Sequence, residues 1–122
     1  MIVAGFGFRQ AATVESLLDA LDKARGTQMP SRLATAEDKA LAPVFQALAA
    51  RLGLPGDAIT PEALAVTETP TRSARVRALH GSGSLAEAAA LVAAGPGASL
   101  LGPRAISADR MAACALATRI LP

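Results

Sequence analysis

The apolar positions fall into short continuous runs separated by stretches of helical period. Ile2 to Phe8 is an apolar run rich in strand formers, which predicts a strand covered on both faces. Gly5 and Gly7, in Gly5-Phe6-Gly7-Phe8-Arg9, are expected to let the chain turn sharply there. Val14, Leu17, Leu18 and Leu21 then repeat at i, i+3, i+4 and i+7, one face of a helix. Thr13 suits its cap, Glu15 its first turn and Gly26 its stop. Arg32 to Thr35 reads as a second strand closed by a polar turn to Asp38. A helix from Lys39 is expected to present Leu41, Val44, Phe45, Leu48 and Leu52 on one face, with Pro43 near its start. Asp57 to Thr60 reads as a third strand, and Thr60-Pro61-Glu62 as cap, proline and acid of a short helix.

Further along, Arg72 to Leu79 is a basic helical stretch and Gly81-Ser82-Gly83 a tight turn. Ser84 is expected to cap an alanine-rich helix, Leu85 to Ala94, with Glu87 completing a capping box. Ser99 to Leu101 and Met111 to Ile120 read as the last two strands, joined by a loop carrying Arg104 and Ser107; the alanine-rich last run also suits a helix, and its Thr-Arg-Ile end favours the strand. Strands alternating with helices predict a three-layer α/β/α domain with a mixed, mostly parallel sheet of about five strands. One of the last two strands is expected to run antiparallel. Residues 1–122 form one domain on this reading.

Composition narrows the chemistry. Apolar residues make up 52% of the chain and aromatic residues 2%, so the core is built from Leu, Val, Ile and Ala. With neither Trp nor Tyr, a base-stacking platform for nucleic acid is excluded. The net charge of +2 suits an anionic small molecule. The single cysteine, Cys114, lies in an apolar run and reads as a buried, inert thiol. A secretory signal is not visible, and the uncharged run Ala88 to Pro103 is too broken by glycine and proline to span a bilayer. A cytoplasmic protein is expected.

Four groups of residues have chemistry to offer. The Gly5–Gly7 pair follows a strand as in a dinucleotide fingerprint, but Gln10 stands where a third glycine belongs. The pair serves either a turn or the close approach of a ligand, with Phe8 and Arg9 beside it. Thr35 and Lys39 sit where a parallel strand ends, the place where ligands bind open α/β sheets. Gly83 and Ser84 open a helix whose amides suit an anion, and a plain turn with its capping box explains them equally well. Arg72, Arg75 and Arg77, in a stretch without acids between Glu68 and Glu87, read as a solvated face or as carboxylate partners. His80 is the only histidine, so neither a metal site nor a cofactor is expected.

In their order along the chain, Gly5-Phe6-Gly7-Phe8-Arg9, Leu33-Ala34-Thr35 with Asp38-Lys39, Glu62-Ala63-Leu64, Gly83-Ser84-Leu85-Ala86-Glu87-Ala88-Ala89-Ala90-Leu91 and Ala113-Cys114-Ala115-Leu116-Ala117 resemble the CobE/CbiG C-terminal domain family of cobalamin biosynthesis. The larger relatives carry this domain at the end of cobalt-precorrin-5A hydrolase, which opens a lactone on the tetrapyrrole ring. At 122 residues the chain resembles the stand-alone form associated with the aerobic route. The resemblance implies a ligand with many carboxylates, a precorrin or hydrogenobyrinic-acid type tetrapyrrole, with other enzymes of the pathway as further partners. It has two departures: Ala42 stands where an acid is frequent, and Arg104 where lysine is common.

On this reading Gly5, Gly7, Phe8, Arg9, Thr35, Lys39, Gly83, Ser84, Glu87 and Arg104 face one cleft. Arg9, Lys39 and Arg104 pair with carboxylates, Thr35 and Ser84 donate hydrogen bonds, and the glycines admit the macrocycle. The expected role is to bind a tetrapyrrole intermediate or act on it. The alternatives are a hydrolase-like enzyme on a precorrin lactone and a Rossmann-like nucleotide-binding domain.

Overall fold

In the computed structural model, residues 1–65 and 83–119 are described. The elements are β1 (Ile2–Phe8), α1 (Val14–Arg25), β2 (Arg32–Ala36), α2 (Glu37–Ala40), α3 (Pro43–Leu52), β3 (Gly56–Ile59), α4 (Pro61–Ala65), α5 (Gly83–Ala94), β4 (Ser99–Leu100), β5 (Ala105–Ile106) and β6 (Ala112–Thr118). The basic stretch Arg72 to Leu79, His80 and the Gly81-Ser82 turn lie outside the described residues.

The strands form one mixed sheet in the order β3-β2-β1-β6-β4, with β5 also on β6. β1, β2 and β3 are parallel. β6 runs antiparallel to β1, and β4 and β5 run antiparallel to β6. Only β6 therefore opposes the common direction, and the sheet has six strands rather than five. The additional strand is the two-residue β5, too short for any sequence pattern to mark.

The two faces of the sheet are unlike because side chains alternate along a strand. On one face, Ala4, Phe6 and Phe8 of β1 join Cys114 and Leu116 of β6, and Leu17, Leu21, Phe45 and Leu48 of α1 and α3 cover them. On the other, Val3 and Ala117 pack on Ala89, Ala90 and Ala94 of α5, while Ala113 and Ala115 pack on Ala86. Large side chains thus fill one interface and small ones the other. Gly5 belongs to the small face. A Cβ built on it would lie 2.2 Å from the Ala86 carbonyl oxygen and 2.5 Å from the Ala90 amide nitrogen.

The Gly5–Gly7 pair therefore does not form a turn. Both glycines are inside β1, opposite Ala115 and Ala113 of β6. The first helix lies where its stripe and caps put it. Thr13 accepts from the Ser16 amide while Ser16 Oγ accepts from the Thr13 amide, at 3.2 and 3.1 Å. The expected helix from Lys39 is instead two helices. Pro43 is the first residue of α3, and Ala42 before it is extended, with φ −64° and ψ 137°, since proline disfavours a helical predecessor. That break turns Leu41 outward, where it is 81% exposed rather than in the core. Helix α5 already includes Gly83 and Ser84, so Ser84 is not the residue that precedes the helix, as the cap reading required.

Cys114 is fully buried, and the loss of water around it pushes its thiol well above its ordinary range. A thiol reagent is expected to leave the native protein unlabelled and to modify one sulfur per chain after denaturation, read by intact mass.

Candidate functional site

Strands β1, β2 and β3 end at the same edge of the sheet. Helix α5 points its N-terminus there. Its middle, Ala86 to Ala90, lies over Gly5. The residue after it, Gly95, lies beside Arg119, whose amide donates to Met1 at the opposite end of β1. Two residues along β1 from Gly5, a rise of about 7 Å, Gly7 is level with the start of α5.

β1 and β2 part as they reach this edge. Their ladder is registered from Val3↔Arg32 to Gly5↔Ala34, while β2 continues against β3 as far as Ala36↔Ile59. Side chains of the second strand and its following helix take over where the ladder stops. Thr35 Oγ1 donates to the Phe6 carbonyl at 2.9 Å, and Lys39 Nζ donates to the Phe8 carbonyl at 2.7 Å. Lys39 also sits 5.1 Å from the centre of the Phe8 ring, within reach of a cation–π attraction. Beneath it, Phe8 stacks on Phe45 and Phe6 meets Phe45 edge-on, both at 6.4 Å. The ammonium is thus fixed at the edge, half-buried, with donors beyond the one used on Phe8.

On the far side of β1, the Arg9 amide donates to the Met111 carbonyl at 2.8 Å, extending the β1–β6 pairing by one residue. The Arg9 side chain is exposed, and no hydrogen bond or ion pair holds it among the described residues. Glu37 and Asp38, the first residues of α2, are the exposed acids beside Lys39.

The residues expected at one cleft therefore divide. Arg9, Lys39, Gly7 and the start of α5 with Gly83 and Ser84 share the carboxyl edge. Gly5 lies deeper, under the α5 backbone, so the close approach it permits is that of a helix. Phe8 and Thr35 also belong to the interior, at 4% and 0% exposure, and the Thr35 proton is used on Phe6. Glu87 is wholly buried within α5. Arg104 is half-buried just before β5, whose residues pair with Cys114 and Ala113 on the side of β6 away from β1.

A polar cluster absent from the sequence reading braces the same edge. The β5–β6 turn is held by Asp109, which accepts from Ser107 Oγ at 2.6 Å, from the Met111 amide at 3.0 Å and from Ser16 Oγ of α1 at 2.6 Å. The Ala108 amide donates to Asp19 of α1 at 2.7 Å. These donors, Ser107 first and Ser16 next, hold the Asp109 carboxyl below its ordinary range. Its bonds stabilise the fold above the pKa of the unfolded carboxyl and are lost as pH falls through the lower folded value. Asp109→Asn is therefore expected to unfold more readily at neutral pH and to lose part of the stability drop below about pH 4, followed by thermal melts across pH. The Ser-x-Asp spacing was a visible turn signal, but Ser16 stands 93 residues away.

The described residues contain no group of three or more His, Cys, Asp and Glu able to hold a metal. No helix among them is long and apolar enough to cross a membrane. Residues 2–117 match the family model of the cobalamin synthesis G C-terminus. The chain belongs to that family. Members of known structure agree with the G C-terminus assignment. CobE, a protein from the cobalamin biosynthetic pathway, is 32% identical with a TM-score of 0.77, over 99% of this chain and 91% of that one. The cobalamin biosynthesis protein chiG from Agrobacterium tumefaciens is 30% identical with a TM-score of 0.73, over 98% of each. A chain from Sulfolobus solfataricus described as a cobalamin biosynthesis protein G homolog shares the fold, at 18% identity and a TM-score of 0.71, and this G C-terminus domain spans 37% of it. A comparison with curated proteins found no match. The protein is thus one of the cobalamin biosynthesis pathway.

Proposed function

We propose that the protein binds a precorrin or corrin tetrapyrrole intermediate across the carboxyl end of β1, as a carrier in the aerobic route. The observation that carries this reading is the placement of two cationic residues, Lys39 and Arg9, at that strand end. Lys39 is fixed on the β2 side by the Phe8 carbonyl, and Arg9, exposed, directly follows β1 with its backbone amide paired to Met111. A compact anion engages one such point, whereas a wide ligand with carboxylates around its rim engages both. Arginine and lysine suit that task, as paired donors and as a point charge. The pathway supplies such ligands. A nucleotide fits less well, because the glycines that would form its phosphate loop are inside β1.

The test is to incubate the purified protein with hydrogenobyrinic acid and its precursors, and separately with NAD(P) and ATP, following visible absorbance, co-elution and product mass. Co-elution with unchanged mass supports carriage, and a new product mass makes the protein an enzyme on the same ligand. Binding of nucleotides alone removes the tetrapyrrole reading. Arg9→Ala is expected to weaken binding about tenfold with an unchanged melting temperature. Unchanged affinity takes Arg9 out of the site.

A further inference from the structure

Arg110 has a backbone φ of 63°, and among the described residues it is the only one besides glycine with positive φ. Arginine has no local reason to adopt that conformation, which favours glycine or asparagine. The conformation is imposed from outside. Before Arg110, Asp109 is held by Ser107 and by Ser16 of α1. Arg110 itself donates its amide to the Ser107 carbonyl at 2.9 Å, and Ser107 Oγ accepts from the Ala112 amide at 3.0 Å. Every one of these bonds is made by another residue or by the Arg110 backbone. None uses the Arg110 side chain, which is exposed and has no hydrogen bond or ion pair among the described residues. The turn would be easier to form with glycine or asparagine at this position, so its geometry does not account for a guanidinium there.

Its location does. Phe8 is opposite Ala112, and Arg9 is bonded to Met111, so Arg110 is the next residue outward, in the turn that leads into β6. Two exposed arginines thus border the end of the β1–β6 pair at the carboxyl edge, with Lys39 on the β2 side. Strained residues held by a rigid surround mark functional positions more often than ordinary ones.

We infer that Arg110 is a ligand-binding residue that, with Arg9, receives a carboxylate on the β6 side of the site, while Lys39 receives one on the β2 side. This rests on the tetrapyrrole-binding reading above and specifies it. The site recognises a spread polycarboxylate by the separation of its acids, and the Ser16–Asp109–Ser107 brace is what holds the second arginine in place.

The experiment measures the Kd for hydrogenobyrinic acid of the unaltered protein, Arg9→Ala, Arg110→Asn and Arg110→Lys, with melting temperatures alongside. Asparagine tolerates the left-handed turn, so Arg110→Asn is expected to melt no lower than the unaltered protein yet bind about tenfold more weakly. Arg110→Lys should fall between the two, and the methyl ester of the ligand should bind the unaltered protein and Arg110→Asn equally weakly. If Arg9→Ala weakens binding and Arg110→Asn does not, this inference is overturned and the tetrapyrrole site stands without it. Equal losses in the Asn and Lys variants with lowered melting temperatures also overturn it, because the turn and not the charge would then matter. If the unaltered protein does not bind the acid, both readings fall together.

Discussion

Gly5→Ala is expected to destabilise the protein by about 3 kcal/mol or more, the upper part of the usual range for overpacking. The added methyl group meets the Ala86 carbonyl oxygen at 2.2 Å and the Ala90 amide nitrogen at 2.5 Å. Both are backbone atoms of α5, so no side chain can rotate away, and the whole helix must lift. Lifting it also opens the contacts of Ala86, Ala89 and Ala90 with Ala113, Ala117 and Val3. A thermal melt should fall on the order of 10 °C, and Gly5→Val should not fold. A native melting temperature in Gly5→Ala, with tetrapyrrole binding alone impaired, would return Gly5 to the ligand and sink the packing account.

Phe45→Ala carries the second large effect, about 3–5 kcal/mol for a buried phenylalanine. Phe45 is 2% exposed and touches both Phe6 and Phe8. It also lies against the edge strand, where a Cβ on Gly56 would come within 2.7 Å of Phe45 Cε2. Its ring therefore ties α3 to two strands, β1 and β3. A domain of ordinary stability, roughly 5–15 kcal/mol, loses a large share of it. The consequence reaches the site, because the Phe8 ring beside the Lys39 ammonium stacks on Phe45. Denaturant unfolding should show a lower midpoint with little change in slope. Ligand affinity should fall even where the variant is fully folded. Phe45→Leu, which keeps most of the volume, should recover much of both.

Much of the fold was legible in the chain. The apolar run Ile2–Phe8 and the capped stripe of α1 each carried a local signal strong enough to place an element, whereas the late alanine-rich run suited a strand or a helix and proved to be β6. The positions of Lys39 and Arg9 at a strand end followed from those elements. The alternation of glycine with phenylalanine in β1 was also present in the sequence, but glycine is permissive, and the same letters describe a turn or a strand with one bare face. Which it is depends on α5, some eighty residues later, arriving over that face. Likewise, Thr35, Phe8 and Glu87 carry groups suited to a ligand, and only packing shows that they are buried.

The carboxyl edge itself illustrates the division. That strands end near Phe8 and Ala36 and that basic residues follow them can be read along the chain, because local periodicity and charge are properties of neighbouring residues. That β6 runs back beside β1 is a matter of the folded sheet, and it pairs Arg9 with Met111, the residue after Arg110, and lets Ser16 brace Asp109. Strand order and direction are set by which apolar faces can be covered together, an energy summed over the whole domain. No window of residues contains that sum, so the neighbourhood of Arg110 at this edge could be located only once the sheet was closed around β1.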